Sequence, residues 1–134
     1  MTGRNPTAER GEATSARLHP EILGERCGPR SIEHELRVPP DLDCWPGHFP
    51  AWQVVPAVLQ LDWVMRFAAS WVGPRRLSKI EGLKFKQPMG PGQRFVLRLE
   101  AAADGARIGF QLADGGTVFS LGRLLMHEDA EGRP

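Results

Sequence analysis

In the second half of the chain, hydrophobic and polar residues alternate. Leu83 and Phe85 are separated by Lys84 and followed by Lys86, and the same spacing recurs in Phe95, Leu97 and Leu99 and again in Ile108, Phe110 and Leu112. Period two marks a strand with one covered face, and it predicts strands over residues 80–86, 94–101 and 107–113, with a last strand over 117–126. The joints between the last three contain Asp104-Gly105 and Asp114-Gly115-Gly116, residue types that accept the positive φ angles of tight hairpins. Upstream, Ile32, Leu36 and Val38 share one face of a strand over 31–38, which Pro39 and Pro40 end. The pattern predicts one or two early strands and a four-stranded antiparallel meander.

Residues 57–72 follow a different rule. They are apolar almost all the way round, the pattern of a helix covered on most sides. Pro56 sets the start, because the N–H it lacks would have been an orphan of the first turn. Gly73 and Pro74 end it. At about 1.5 Å per residue the helix extends roughly 24 Å, a length a small sheet can wrap. A meander with one apolar face, laid over such a helix, is an α+β layer architecture: an antiparallel sheet of five to six strands around one central buried helix.

Residues 1–17 mix Gly, Thr, Ser, Ala and charge without periodicity, and a flexible lead is expected there. One domain over 18–130 and a short tail over 131–134 complete the expected organisation. Residues 41–55 form a loop dense in Pro, Gly and large aromatics, including Trp45, Phe49 and Trp52.

At 134 residues the chain has room for one domain and can bury a core without metal or disulfide staples. Hydrophobic residues at 41% and charged residues at 25% sit near globular averages. The formal charge of +1 argues against nucleic acid as the partner, since phosphate binding needs a surplus of Lys and Arg on one face. No uncharged apolar run reaches the ~18 residues of a membrane span. Cys27 and Cys44 match no metal-ligand pattern and suit a reduced, cytoplasmic protein.

Chemistry enters with two residues. Asp62 and Arg66 are the ionisable groups of the apolar helix, and such a group must be paired, exposed or functional. An Asp62–Arg66 ion pair at i,i+4 is one reading, and a functional carboxyl is the other. His48, alone on its loop, reads more readily as a hydrogen-bonded structural histidine than as a catalytic one. Together, however, Gly47-His48-Phe49-Pro50, then Val55-Pro56, then Leu59-Gln60-Leu61-Asp62 form a longer string.

That string resembles the active-site segment of the beta-hydroxyacyl-ACP dehydratases of fatty acid synthesis. There a Gly-His-Phe-Pro loop precedes a Pro-Gly helix start, and an acidic residue lies fourteen positions after the histidine, as Asp62 does after His48. Lys84-Phe85-Lys86-Gln87-Pro88 and the Pro91-Gly92 turn extend the likeness, which covers roughly residues 31–126. In length and flavour the chain is similar to a shorter, aryl-polyene-type branch. Three positions depart from the pattern. Ala57 stands for the usual Gly, Gln53 for a usual Pro, and the acid is Asp as in the dehydratase/isomerase branch, where plain dehydratases have Glu.

The resemblance implies a hot-dog fold, dehydration of a 3-hydroxyacyl thioester to the enoyl thioester, and an acyl carrier protein as partner, with no cofactor. His48 would take the C2 proton, Asp62 would assist loss of the C3 hydroxyl, and the Ala57 N–H would hold the thioester oxygen. Phe49, Trp52, Trp63 and Phe67 are candidates to line an acyl tunnel, and core packing explains each equally well. Arg75, Arg76, Lys79, Lys84 and Lys86 are candidates to dock an acidic carrier. His19, His34 and His127 read as surface groups. The resemblance also implies a homodimer or trimer of dimers joined edge to edge, the histidine of one chain meeting the acid of the other. A hot-dog thioesterase, or a non-catalytic acyl-binding subunit, are the competing readings.

Overall fold

The computed structural model describes residues 18–41 and 54–127. Six strands, β1 (Glu21–Cys27), β2 (Ser31–Arg37), β3 (Leu77–Phe85), β4 (Arg94–Ala101), β5 (Arg107–Asp114) and β6 (Thr117–Met126), accompany one long helix, α1 (Ala57–Val72). The strands form a single antiparallel sheet in the order β1-β2-β4-β5-β6-β3.

Alternation decides which face of each strand turns inward. Phe95, Leu97 and Leu99 of β4 and Ile108, Phe110 and Leu112 of β5 are buried, and fully burying a side chain of this kind contributes about 1.5–3 kcal/mol. On β6 the parity slips at a bulge: Leu112 pairs with Ser120 but Ala113 pairs with Val118. Phe119 and Ser120 are therefore both buried, because the extra residue re-aims the strand. Farther on, Gly122 leaves room for Phe110; a Cβ there would lie 2.9 Å from the ring.

The helix crosses the inner face obliquely. Gln60 in its first turns bonds Ser120 on β6, Trp63 stacks on Phe95 of β4, and Phe67 meets His34 of β2. Its bounds are those that Pro56 and Gly73 predict, and the Gly73 N–H closes it on the Ala69 carbonyl at 2.9 Å. The sheet covers one side of α1, where Gln60, Trp63, Val64 and Ala68 are buried. The sheet does not cover the opposite side, where Val58 is 74% exposed.

Two sequence expectations change. The four-stranded meander is a three-stranded one, β4-β5-β6, while β3 lies beyond β6 at the sheet edge and β4 pairs with β2. The reason lies in the connections. The β5–β6 joint is Gly115-Gly116 alone, with Gly115 at φ 59°, a two-residue hairpin. Between β3 and β4 run eight residues with Pro88 and Pro91, too long for such a hairpin and free to carry the chain across the sheet. β3 also starts at Leu77, earlier than the alternation from Ile80 indicates, because Leu77 pairs with Met126.

Candidate active site

The start of α1 is built by Val55 and Pro56. Pro56 is extended, with φ −60° and ψ 149°, and after it the chain turns directly into helix. The Ala57 and Val58 amides have no partner within the helix, because the first N–H groups of any helix lack one. No acidic side chain lies in the first turn, so the positive end of the helix is not neutralised locally. Ala57 and Gln60 face a cavity of about 260 Å³. Its other walls are Val54, Val55, Phe85 and Pro88, with Lys86 and Gln87 as the polar part of the rim.

Asp62 lies one turn and a half along the helix, on its open side. Its carboxyl is 45% exposed, and Oδ2 accepts from Arg66 Nε at 2.8 Å. The i,i+4 ion pair is therefore formed, and among the described residues no other side chain is bonded to the Asp62 carboxyl. An exposed pair of this geometry is worth about 0.3–0.5 kcal/mol.

Trp63 and Phe67 turn away from the Ala57 cavity. Trp63 is fully buried, its indole N–H donates to the Leu18 carbonyl at 2.8 Å, and its ring stacks on Phe95 with centroids 5.9 Å apart. Both aromatics border a second cavity of about 260 Å³, closed on its other side by His19, Pro20 and Ile22. That cavity adjoins β1 and the Ala57 cavity adjoins β3, which are opposite edges of the sheet. The structure thus separates the helix candidates: Ala57 on one flank, Trp63 and Phe67 on the other, Asp62 between them. His48, Phe49 and Trp52 lie outside the described residues.

The basic residues proposed for docking also part. Arg75 donates to the Gly105 carbonyl at 2.8 Å and Lys79 pairs with Glu81 at 3.2 Å. Lys86 instead stands on the rim of the Ala57 cavity, and Lys84 is its exposed neighbour on β3. Among the described residues no group of three or more His, Cys, Asp and Glu side chains is placed to hold a metal ion, and no helix is long and apolar enough to cross a membrane.

His34 corrects the surface reading. Period two puts it between Ile32 and Leu36 on the inner face of β2, where it is 7% exposed, with its ring 4.4 Å from Phe67 and no hydrogen-bond partner for either nitrogen. Its Nδ1 is 3.8 Å from Glu25. Burial lowers its pKa below the ordinary 6.5, and the Glu25 carboxylate opposes this only in part. The unfolded chain therefore binds a proton that the fold resists, so this contribution to stability is complete above pH ~6.5 and is lost as pH falls below it. His34→Phe is expected to flatten the fall in melting temperature between pH 7 and pH 5; an unchanged slope contradicts this assignment. The alternation Ile32-His34-Leu36 was the signal for this position. For Gln60 it was a polar residue on the same helical face as Trp63 and Val64.

Comparison with known proteins bears on the same residues. Residues 25–123 match the family described as ApeI-like, ApeI dehydratase. The chain is 34% identical over 86 residues to the 3-hydroxyacyl-[acyl-carrier-protein] dehydratase FabZ of Gluconacetobacter diazotrophicus, a match covering 54% of this chain and 53% of that one; the chain thus spans about half the length of this relative. Two solved structures are similar over most of their length. One, an uncharacterised protein from Erwinia carotovora subsp. atroseptica, has a TM-score of 0.69 at 30% identity, covering 84% of this chain and 98% of that chain. The other, the dehydratase heterocomplex ApeI:P from Xenorhabdus doucetiae, has a TM-score of 0.71 at 28% identity, covering 80% and 96%. The six-stranded antiparallel sheet around α1 is the hot-dog fold.

Proposed function

Because this chain belongs to the ApeI-like family of dehydratases, we propose that it removes water from a 3-hydroxyacyl thioester carried on an acyl carrier protein, leaving the trans-2-enoyl thioester. The observation that carries the reading is the start of α1, where amides without an intrahelical partner, at a positive helix end whose first turn bears no acidic side chain, adjoin a cavity that is largely apolar among the described residues. A thioester oxygen gains negative charge as the C2 proton leaves, and a backbone N–H aimed at it stabilises that charge at the moment of reaction. Ala57 offers the same N–H as the family's glycine. Its side chain is exposed, so the added methyl does not crowd the core.

In this reading His48 takes the proton from C2, the C2–C3 double bond forms, and the C3–O bond breaks. Asp62 delivers a proton to the departing hydroxyl, which leaves as water. A carboxyl that gives up a proton near neutral pH works best enclosed. The open side of α1 acquires that enclosure if a second copy covers it. The functional unit is therefore proposed to be a homodimer, or an assembly of such dimers, with Phe49 and Trp52 as candidates to line the acyl tunnel. For Trp63 the full burial of the side chain, its indole bond to Leu18 and the stacking on Phe95 favour a core role, and Phe67 retains a place beside the second cavity.

Mass spectrometry of the products from a panel of 3-hydroxyacyl carriers tests the reaction. Loss of water with the thioester intact is expected; release of free thiol without enoyl product would identify a thioesterase and overturn this assignment. Docking of an acidic carrier is assigned to Lys84 and Lys86. Reversing both charges is expected to weaken carrier binding by about tenfold at low salt, and reversing Arg75 to leave it near wild type. Equal effects at the two places would remove the assignment.

A further inference from the structure

Two polar side chains lie inside the apolar core beneath the start of α1: Gln60, 4% exposed, and Ser120, 1% exposed. The carboxamide is bonded at both ends. Its Nε2 donates to the Val55 carbonyl at 3.2 Å, and its Oε1 accepts from Ser120 Oγ at 2.9 Å. A carbonyl only accepts, so the Val55 bond settles which end of the amide is nitrogen, and Ser120 must be the donor. Val55 is also held through its N–H, which donates to the Met89 carbonyl at 2.8 Å. Beside Ser120, the Phe119 carbonyl accepts from the Lys86 and Gln87 amides. One run of bonds thus ties β6 to the first turns of α1, to the residue that leads into the helix and to the segment bearing Lys86, and the last three are walls of the Ala57 cavity.

Stability alone does not require this arrangement. Replacing both members of a buried hydrogen-bonded pair by apolar groups of similar shape is close to neutral, and the neighbouring sheet-facing positions of α1, Trp63, Val64 and Ala68, are apolar. Position is what the bonds control. Clamping the Val55 carbonyl fixes the peptide plane entering Pro56, and through Pro56 the plane of the Pro56–Ala57 peptide, which holds the Ala57 N–H. We propose that Gln60 and Ser120 are positioning residues of the dehydration, holding the Ala57 amide in the direction that meets the thioester oxygen. This rests on the dehydratase reading above. Neither side chain needs to touch the substrate.

The test uses Gln60→Leu, Ser120→Ala and the double variant in the full-length protein. Misplacing an oriented group by about 1 Å can cost up to ~10²-fold, so Gln60→Leu is expected to lower kcat by about tenfold or more, with KM within about twofold, and to melt lower than wild type while still folded, because the Ser120 hydroxyl and the Val55 carbonyl lose their partner. Ser120→Ala is expected to lower kcat by less. The double variant should match Gln60→Leu alone, because the two act as one unit. A folded Gln60→Leu with wild-type kcat overturns the proposal, as do losses that multiply in the double variant. Should Gln60→Leu fail to fold, Ser120→Ala carries the test, and an unchanged kcat there overturns it. Should the wild-type protein dehydrate no 3-hydroxyacyl thioester, the functional reading fails separately. The clamp is then read from the Ala57 amide resonance, expected to shift in Ser120→Ala; an unmoved resonance overturns the clamp itself.

Discussion

Asp62→Asn and His48→Ala are each expected to lower kcat/KM for dehydration by about 10²–10⁴, the range of one positioned acid or base, while the fold survives. At Asp62 little stability is at stake. Its carboxyl is half exposed and its bond to Arg66 is a surface i,i+4 pair, worth about 0.3–0.5 kcal/mol, so the asparagine variant should melt within a few degrees of the parent. Asparagine keeps the shape and can still accept a hydrogen bond, yet it cannot give up a proton. For His48 the comparison variant is His48→Gln, which holds hydrogen bonds and cannot act as a base at neutral pH. Steady-state kinetics on a 3-hydroxyacyl thioester, with melting curves of the same preparations, decide the matter. Turnover within twofold of the parent in either alanine or asparagine variant would leave the fold standing and the mechanism without its acid/base pair.

The parts of this molecule that could be read from sequence are those governed by local rules. Pro56 and Gly73 bound α1 because a missing N–H and a helix-ending glycine act where they stand. Strand β4 has the bounds its alternation indicates, and β6 begins directly after the Asp114-Gly115-Gly116 turn. The neighbour of β3 could not be read, because pairing with β6 depends on where a long connection delivers the strand, and one strand's pattern does not encode its partner. β1 was indistinct for another reason. It is an edge strand exposed along nearly its whole length, so burial imposes no alternation, and a register shift between Ile22 and Gly24 interrupts what remains.

At the site the same division holds. Asp62 stands out as an acid in an apolar helix, but its exposure depends on which side the sheet leaves open, and helix composition does not reveal that. Asp62 and Trp63 are adjacent in sequence and about 100° apart around the axis, so one faces outward while the other anchors the core. Gln60 and His34 follow the periodicity of their elements into the core although both are polar, and polarity alone points such residues to the surface.

Mixing His48→Ala with Asp62→Asn is expected to restore activity that neither variant has alone. The open side of α1 and the exposed edge of β3 carry Val54, Val58, Leu83 and Phe85, all exposed in a single chain. An edge strand with apolar neighbours is a template for pairing, and a shared site requires the second copy also to reach the exposed face of α1 that bears Asp62. If each site takes its histidine from one protomer and its acid from the other, a mixed dimer holds one site with both groups intact and one with neither. Random exchange makes half of the dimers mixed, so about a quarter of parental activity should return, following from the two-fold symmetry of such an interface. Co-expression or refolding of the two variants together provides the exchange. The double variant His48→Ala/Asp62→Asn, mixed with parental chains, should instead reduce activity to about a quarter, since every mixed dimer then lacks a complete site. Sites contained within one chain reverse both results: the first mixture stays silent and the second keeps about half, because each parental protomer remains active whatever its partner.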